Sequence, residues 1–227
     1  MGRPWPRDFE CARRNFELAD QGSIPAAAYN LGLFAQAGIG GAVDLDAAET
    51  WFRKAAAHEG SALDYEIGRL LLHRNKNVQE AIDLLLPNAD EGSPIAAYVL
   101  LRFCRENPDC NLTPINIAEL EKQLAELTPQ LKNDLAWGLG CDALSDAEDG
   151  RYAVQLIKSM PAKEKVTWIV LDTLAAAYAR AGDFAKAVSA QKKAIGLIPE
   201  TEIRVRRLIF EERLERYESG RPWDLPY

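Results

Sequence analysis

The 227-residue sequence predicts an all-α protein made of consecutive antiparallel helix pairs. Three observations carry that prediction. First, the chain repeats itself: "GSIPAAAYNLGLF" from Gly22, "GSALDYEIGRLL" from Gly60 and "GSPIAAYVLLRF" from Gly92 each open with Gly-Ser and carry a Tyr three residues before Gly32, Gly68 or Leu101, positions 36 and 33 residues apart. Second, apolar residues between these segments recur at three and four, the period of one helical face, and show no strand-like alternation. Third, residues that stop and start helices stand at each junction.

The elements follow in order. "RDFECARRNFELADQG" is an apolar stripe ending in Gly22, and "SIPAAAYNLGLF" follows it as the next helix. In "DLDAAETWFRKAAAHEG" the apolar positions Ala47, Ala48, Trp51, Phe52, Ala55 and Ala56 lie on one face. "GSALDYEIGRLL" and "NVQEAIDLLLPNADEG" repeat the pair, and "GSPIAAYVLLRF" begins another. Gly22, Gly60 and Gly92 are expected to close helices in the left-handed conformation. Ser23, Ser61 and Ser93 are expected to cap the helices that follow, and Pro94 takes a first helical position, where its missing donor costs nothing. Thr113-Pro114 and Thr128-Pro129 repeat this grammar, and Ser145 with Glu148 reads as a capping box. From Trp168, "WIVLDTLAAAYARAGDFAKAVSAQKKAIGLIP" holds two more helices, and a last one runs from about Glu200 to Ser219.

Composition narrows the function. No apolar run approaches the roughly 18 residues that cross a bilayer, so no transmembrane segment is expected. A net charge of −7 opposes a nucleic-acid surface, which needs clustered Lys and Arg. The exception, "RVRRLIFEERLER", reads as a solvated helix face whose charges pair with one another. Four cysteines are present. Cys104 and Cys110 flank a Pro-Asp turn that a disulfide can close in an oxidising compartment, and Cys141 is a further candidate; four ordinary thiols are the alternative. The N-terminal residues lack the apolar core of a secretory signal. The expected location is therefore cytoplasmic, or periplasmic or secreted if a leader has been removed.

No hydrolase elbow, zinc-binding His-Glu-x-x-His or phosphate-loop Gly-Lys-Ser/Thr is present, and neither a metal nor a cofactor is expected. His58 and His73 read as helix-end residues. The glycine run in "AGIGGAVDLD" could cradle a phosphate, but Asp44 and Asp46 occupy the following helix start, where they complement the dipole and repel an anion. Gly38, Gly40 and Gly41 are expected instead to reverse the chain through positive φ, as Asn75 and Asn77 do one unit later.

On "AAYNLGLFAQAGIGGAVDLDAAETWFRKAAAHEG", Ala27 to Gly60, the sequence resembles the Sel1-like repeat family, with Ala35 at a site often filled by Tyr. The stretch from 168 to 199 resembles a tetratricopeptide repeat through Leu174, Tyr178, Ala187, Ala194 and Pro199; Ala175 replaces a usual Gly and Gln191 a usual aromatic. The resemblance implies an α-solenoid of about twelve helices in six pairs: Sel1-like repeats over 1–110, divergent helical repeats over 111–160, a tetratricopeptide unit over 161–199 and a capping helix with tail over 200–227, in one continuous solenoid. The aromatic tail "RPWDLPY" is expected to fold back on apolar surface.

Members of these families are mostly adaptors, which implies a non-enzymatic module holding a partner protein or peptide. First helices of successive pairs line the concave face of such a solenoid. One register then gives Tyr29, Tyr65, Tyr98 and Asp172, and the next two turns give Arg69, Arg102 and Arg180. Tyr29, Tyr65, Arg69, Tyr98, Arg102 and Arg180 are the candidate partner contacts, as Tyr and Arg dominate interface hot spots; the alternative for the rings is packing between pairs. A second function, structural accessory subunit of a bacterial cell-envelope or secretion assembly, stays open. An enzyme with an unrecognised site is the third.

Overall fold

The computed structural model describes residues 8–22, 24–59, 63–199, 201 and 204–224. Over these residues the chain is all-α as expected, with twelve α-helices and no strand: α1 (Phe9–Gln21), α2 (Pro25–Ala37), α3 (Leu45–Glu59), α4 (Asp64–His73), α5 (Val78–Asp90), α6 (Pro94–Glu106), α7 (Pro114–Ala125), α8 (Pro129–Cys141), α9 (Ala147–Ser159), α10 (Trp168–Arg180), α11 (Phe184–Leu197) and α12 (Arg204–Glu218). Two compact units divide the chain, Met1–Glu121 and Lys122–Tyr227.

In the first unit α2 packs on α3 and α4 on α5, with α1 against α2 and α6 against α5. The repeated glycines permit these approaches. A Cβ on Gly32 would stand 2.5 Å from the Phe52 ring, and one on Gly68 would stand 2.7 Å from Leu85. Phe52, Leu70, Leu71 and Leu85 are fully buried, each such side chain contributing about 1.5–3 kcal/mol. The two hairpin reversals use different chemistry for one conformation: Gly38 and Gly40 have φ of 66° and 69°, Asn75 and Asn77 of 48° and 47°. Asp44 caps α3 by accepting the Ala47 N–H at 2.9 Å, which is the structural role expected of it. His58 and His73 lie in the last turns of α3 and α4.

In the second unit α10 is central, packing on α8, α9 and α11, and α12 packs on α11. Thr128 and Thr167 cap α8 and α10 by accepting the N–H of Leu131 and of Val170. The expected pair within 168–199 is α10 and α11, with Ala175, Ala187 and Ala194 fully buried where the helices meet.

Four local expectations change. Gly22 closes α1 at φ −79°, outside the left-handed region, because its N–H reaches Asp20 and Leu18 without reversal. Gly41 does not share the positive φ of Gly38 and Gly40. The capping box at α9 is built by Asp146 and Asp149, one residue beyond Ser145 and Glu148, since Asp146 holds the extended cap conformation. The charged face of α12 is not simply self-paired: Arg213 is only 7% exposed and pairs with Asp172 of α10, because α12 lies across the wall formed by Trp137 and Trp223. The roles given to Ser23, Gly60 and Ser61 lie outside the described residues. Of the tail, Trp223 is fully buried and Asp224 pairs with Arg180 and Arg216; residues 225–227 are not described.

Candidate functional site

Five of the six candidate contacts stand on α2, α4 and α6 of the first unit. Tyr29 is half-buried; its hydroxyl donates to Glu66 Oε1 at 3.5 Å and its ring lies 6.0 Å from that of Phe52. Arg69 is 6% exposed and donates from Nη1 to the Tyr65 hydroxyl at 3.0 Å. Tyr98 is equally buried, and Arg102 donates to Glu106 Oε1 at 3.0 Å. The structure therefore joins Tyr65 to Arg69 and links Tyr29 to α4 through Glu66. Burial pushes the Glu66 carboxyl up, against the lowering effect of a backbone hydrogen bond, Tyr29 and Arg69.

Arg180 belongs to the second unit. Its guanidinium donates to the carbonyls of Gly140 at 3.3 Å and Ser145 at 3.2 Å and pairs with Asp224, so it ties the α8 end to the tail. Cys104 and Cys110 are joined by a disulfide, their Cα atoms 5.2 Å apart. Cys141 is a free thiol, pushed far up by burial, and stays protonated. A protonated thiol is a poor nucleophile.

A groove runs between α8, α10 and α12 of the second unit, enclosing a cavity of about 420 Å³ lined by Asn133, Trp137, Trp168, Asp172, Phe210 and Arg213 among others. Its size is that of a ligand or side-chain pocket. The Trp168 and Phe210 rings stand 5.6 Å apart at 56° and form one wall, and Arg206 stacks over Trp168 at 5.1 Å. The opposite side is polar and buried. Arg213 lies 4.6 Å over Trp137 and 5.1 Å over Trp223 and pairs with Asp172. Gln191, wholly buried, donates from Nε2 to Asp172 Oδ1 at 2.8 Å and to the Phe210 carbonyl at 3.2 Å. Burial pushes the Asp172 carboxyl up to about 6, although Arg213 and Gln191 oppose the shift.

A second cavity of about 500 Å³ adjoins the first and shares Asn133, Trp168 and Ile169 with it. Met160, Val166 and Leu197 are among its other walls. Large apolar side chains stand open along both: Val166 is 65% exposed, Ile169 50%, Leu197 51% and Val205 60%. Surfaces of this kind mark contact sites.

Sequence reasoning missed Asn133, Trp137, Phe210 and Arg213. A signal for the first two exists: Tyr29 and Tyr98 lie four residues after Pro25 and Pro94, and Asn133 lies four after Pro129, with Arg102 and Trp137 four further on. The Thr-Pro start of α8 sets the same count as the Ser-Pro start of α6. Phe210 and Arg213 carry no comparable mark, since α12 has no Pro start. Among the described residues no three His, Cys, Asp or Glu side chains gather as a metal site.

No protein-family profile matches the chain, and no curated protein matches it. Among solved structures it is similar to a protective antigen present in uropathogenic Escherichia coli strains displaying an SLR fold, with a TM-score of 0.45 and 18% identity over 96% of this chain and 47% of that one. It is also similar to a Sel1 repeat protein from Oxalobacter formigenes, with a TM-score of 0.45 and 18% identity over 92% of this chain and 60% of that one. The chain thus spans about half to three fifths of the length of these proteins.

Proposed function

We propose that the chain is a non-enzymatic interaction module that binds a partner protein or peptide along the first helices of its helix pairs. The observation that supports this most is the α8, α10 and α12 groove, whose aromatic walls carry Ile169 and Val205 half open or more to solvent. In the first unit, the half-buried Tyr29, Tyr65 and Arg102 form the corresponding contact surface, buried Arg69 and Tyr98 support it from beneath, and Arg180 acts by holding the α8 end in place. The non-enzymatic part of the reading draws on two buried ionisable groups: Asp172 pairs with Arg213 and accepts from Gln191, and Cys141 keeps its proton. The test is affinity capture from the native source followed by titration of the recovered partner. Trp168→Ala is expected to weaken binding at least about tenfold, the scale of an aromatic hot spot. A partner held equally by wild type, Trp168→Ala and the Arg69→Ala/Arg102→Ala pair would overturn the proposal.

A second reading, accessory subunit of a cell-envelope or secretion assembly, draws support from the Cys104–Cys110 bond, since such bonds persist in oxidising compartments. Counting thiols in protein taken from its native source tests it: two more should titrate after reduction than before. Equal counts would remove the support.

A further inference from the structure

Resting on the reading of the α8, α10 and α12 groove as a partner site, we infer that its occupant is an extended stretch of partner backbone, with two apolar side chains one residue apart and basic flanks, and that Asn133 receives the amide N–H between them. Asn133 is 7% exposed and lines both cavities. Its Oδ1 is buried and accepts from no donor among the described residues. An acceptor left in this state carries an uncompensated desolvation cost, which a ligand donor recovers.

The surroundings select the donor. Trp168 and Ile169 flank Asn133 on the wall common to both cavities, and Arg206 already occupies the Trp168 ring face, so a cation placed there would lose its hydration without gaining that ring. The buried carboxylate of the first cavity offers it nothing, because Asp172 is already engaged by Arg213 and Gln191. A neutral N–H is the fitting donor. A helical ligand has none to give along its length, as each is bonded to a carbonyl four residues back. An extended chain offers its N–H groups freely. Its side chains at i and i+2 fall on one face about 6.6 Å apart, so one can enter each cavity while the N–H of the residue between them, which projects sideways in the plane of the strand, reaches Asn133 on the shared wall.

Charge sets the flanks. With Asp172 and Arg213 paired, the charged residues left in the two linings are exposed Asp134 and half-buried Glu164, the latter 3.9 Å from Lys163, against Arg206, which is stacked on Trp168. The whole chain carries −7. Basic residues beside the apolar pair therefore match the mouths and hasten encounter.

The probe is the blocked peptide acetyl-Lys-Phe-Ser-Leu-Lys-amide, compared with the same peptide methylated on the Ser amide nitrogen, each titrated into the full chain by calorimetry and tryptophan fluorescence. The unmethylated peptide is expected to bind about tenfold tighter, the worth of one hydrogen bond. Asn133→Leu should erase that difference, and Trp168→Ala should weaken both peptides. Equal binding of the two peptides to wild type, no binding at the highest soluble concentration, or tighter binding of an amphipathic helical peptide would each overturn the inference. The wild-type comparison needs no variant to fold. If Trp168→Ala loses the native partner while the two peptides bind alike, the groove reading stands and the extended-backbone inference falls; if Trp168→Ala keeps the partner, the groove reading itself falls.

Discussion

Four residues beyond the first residue of α2 and of α6 stand Tyr29 and Tyr98; four beyond the first of α8 and of α10 stand Asn133 and Asp172. In the first unit the rings occupy the space at that level: Tyr29 lies against Phe52 and Tyr98 is 6% exposed. In the second unit the side chains are shorter and the same level borders a cavity of about 420 Å³. The unit in which the repeat motif is clearest is the one whose register is filled. The divergent unit keeps the space open and places an ion pair and an unpaired amide within it. At this register, among the described residues, rings fill the level in the first unit and a cavity borders it in the second.

The largest expected contrast lies in the buried arginines. Arg213 neutralises Asp172 inside the second unit, both side chains under 10% exposed. Arg213→Ala leaves that carboxylate without its cation and is expected to cost about 4 kcal/mol in urea unfolding. Arg69 of the first unit bonds the Tyr65 hydroxyl and acts on the Glu66 carboxyl, which burial already makes less acidic, and Arg69→Ala is expected to cost about 2 kcal/mol. Equal costs would mean that the two sites are alike in kind.

The next contrast concerns glycines at helix contacts. A Cβ on Gly150 would stand 2.3 Å from the Ala181 backbone nitrogen and 2.6 Å from the Arg180 carbonyl carbon, so a stretch of main chain must shift. The same atom on Gly32 meets the Phe52 ring, which can rotate. Gly150→Ala is expected to cost about 3 kcal/mol and Gly32→Ala about 1 kcal/mol, read from thermal or urea unfolding.

How much of this was legible follows the same division. The Gly-Ser junctions, the Pro at first helical positions and the apolar period depend on neighbours within a few residues, and they predict the helices of both units. The Asn75 and Asn77 reversal was legible because Asn tolerates the left-handed conformation. The groove was not. Trp137 and Arg213 are 76 residues apart, and their stacking depends on where α12 docks, which no local period encodes. The alternating charges of "RVRRLIFEERLER" point to a solvated face for the same reason: a sequence shows the arginine but not the tryptophans that enclose it.

Acidity separates the units in opposite directions. Asp172 has a folded pKa of about 6 against an ordinary 3.8, raised by burial. Between these values the folded chain holds the extra proton, so this group's stabilising contribution is full below about 3.8 and is lost as pH rises through about 6. Its size is on the order of 3 kcal/mol. Glu80 of the first unit behaves the other way. The Arg53 pair holds its carboxyl below the usual range, so its contribution is present above that range and fades as pH falls. Urea unfolding between pH 4 and 7 should show wild type losing stability relative to Asp172→Asn as pH rises, and losing it relative to Glu80→Gln as pH falls. A parallel course for Asp172→Asn and wild type would place the Asp172 carboxyl in the ordinary range.

The smallest expected effect in stability is the most informative about purpose. Asn133 keeps a buried acceptor unpaired where a leucine would leave none. Asn133→Leu is therefore expected to be neutral or to stabilise the chain by up to about 1 kcal/mol, since removing an unsatisfied polar atom removes its desolvation cost. Tyr98, at the same count on α6, shows that this register accepts a large ring. A residue that lowers stability where an apolar one would fit is expected at a functional position, as binding sites retain groups that folding alone would not select. Stabilisation of Asn133→Leu together with lost discrimination between the two peptides would tie that cost to the ligand. Destabilisation by more than about 1 kcal/mol would instead make the amide part of the fold, its acceptor served by ordered water.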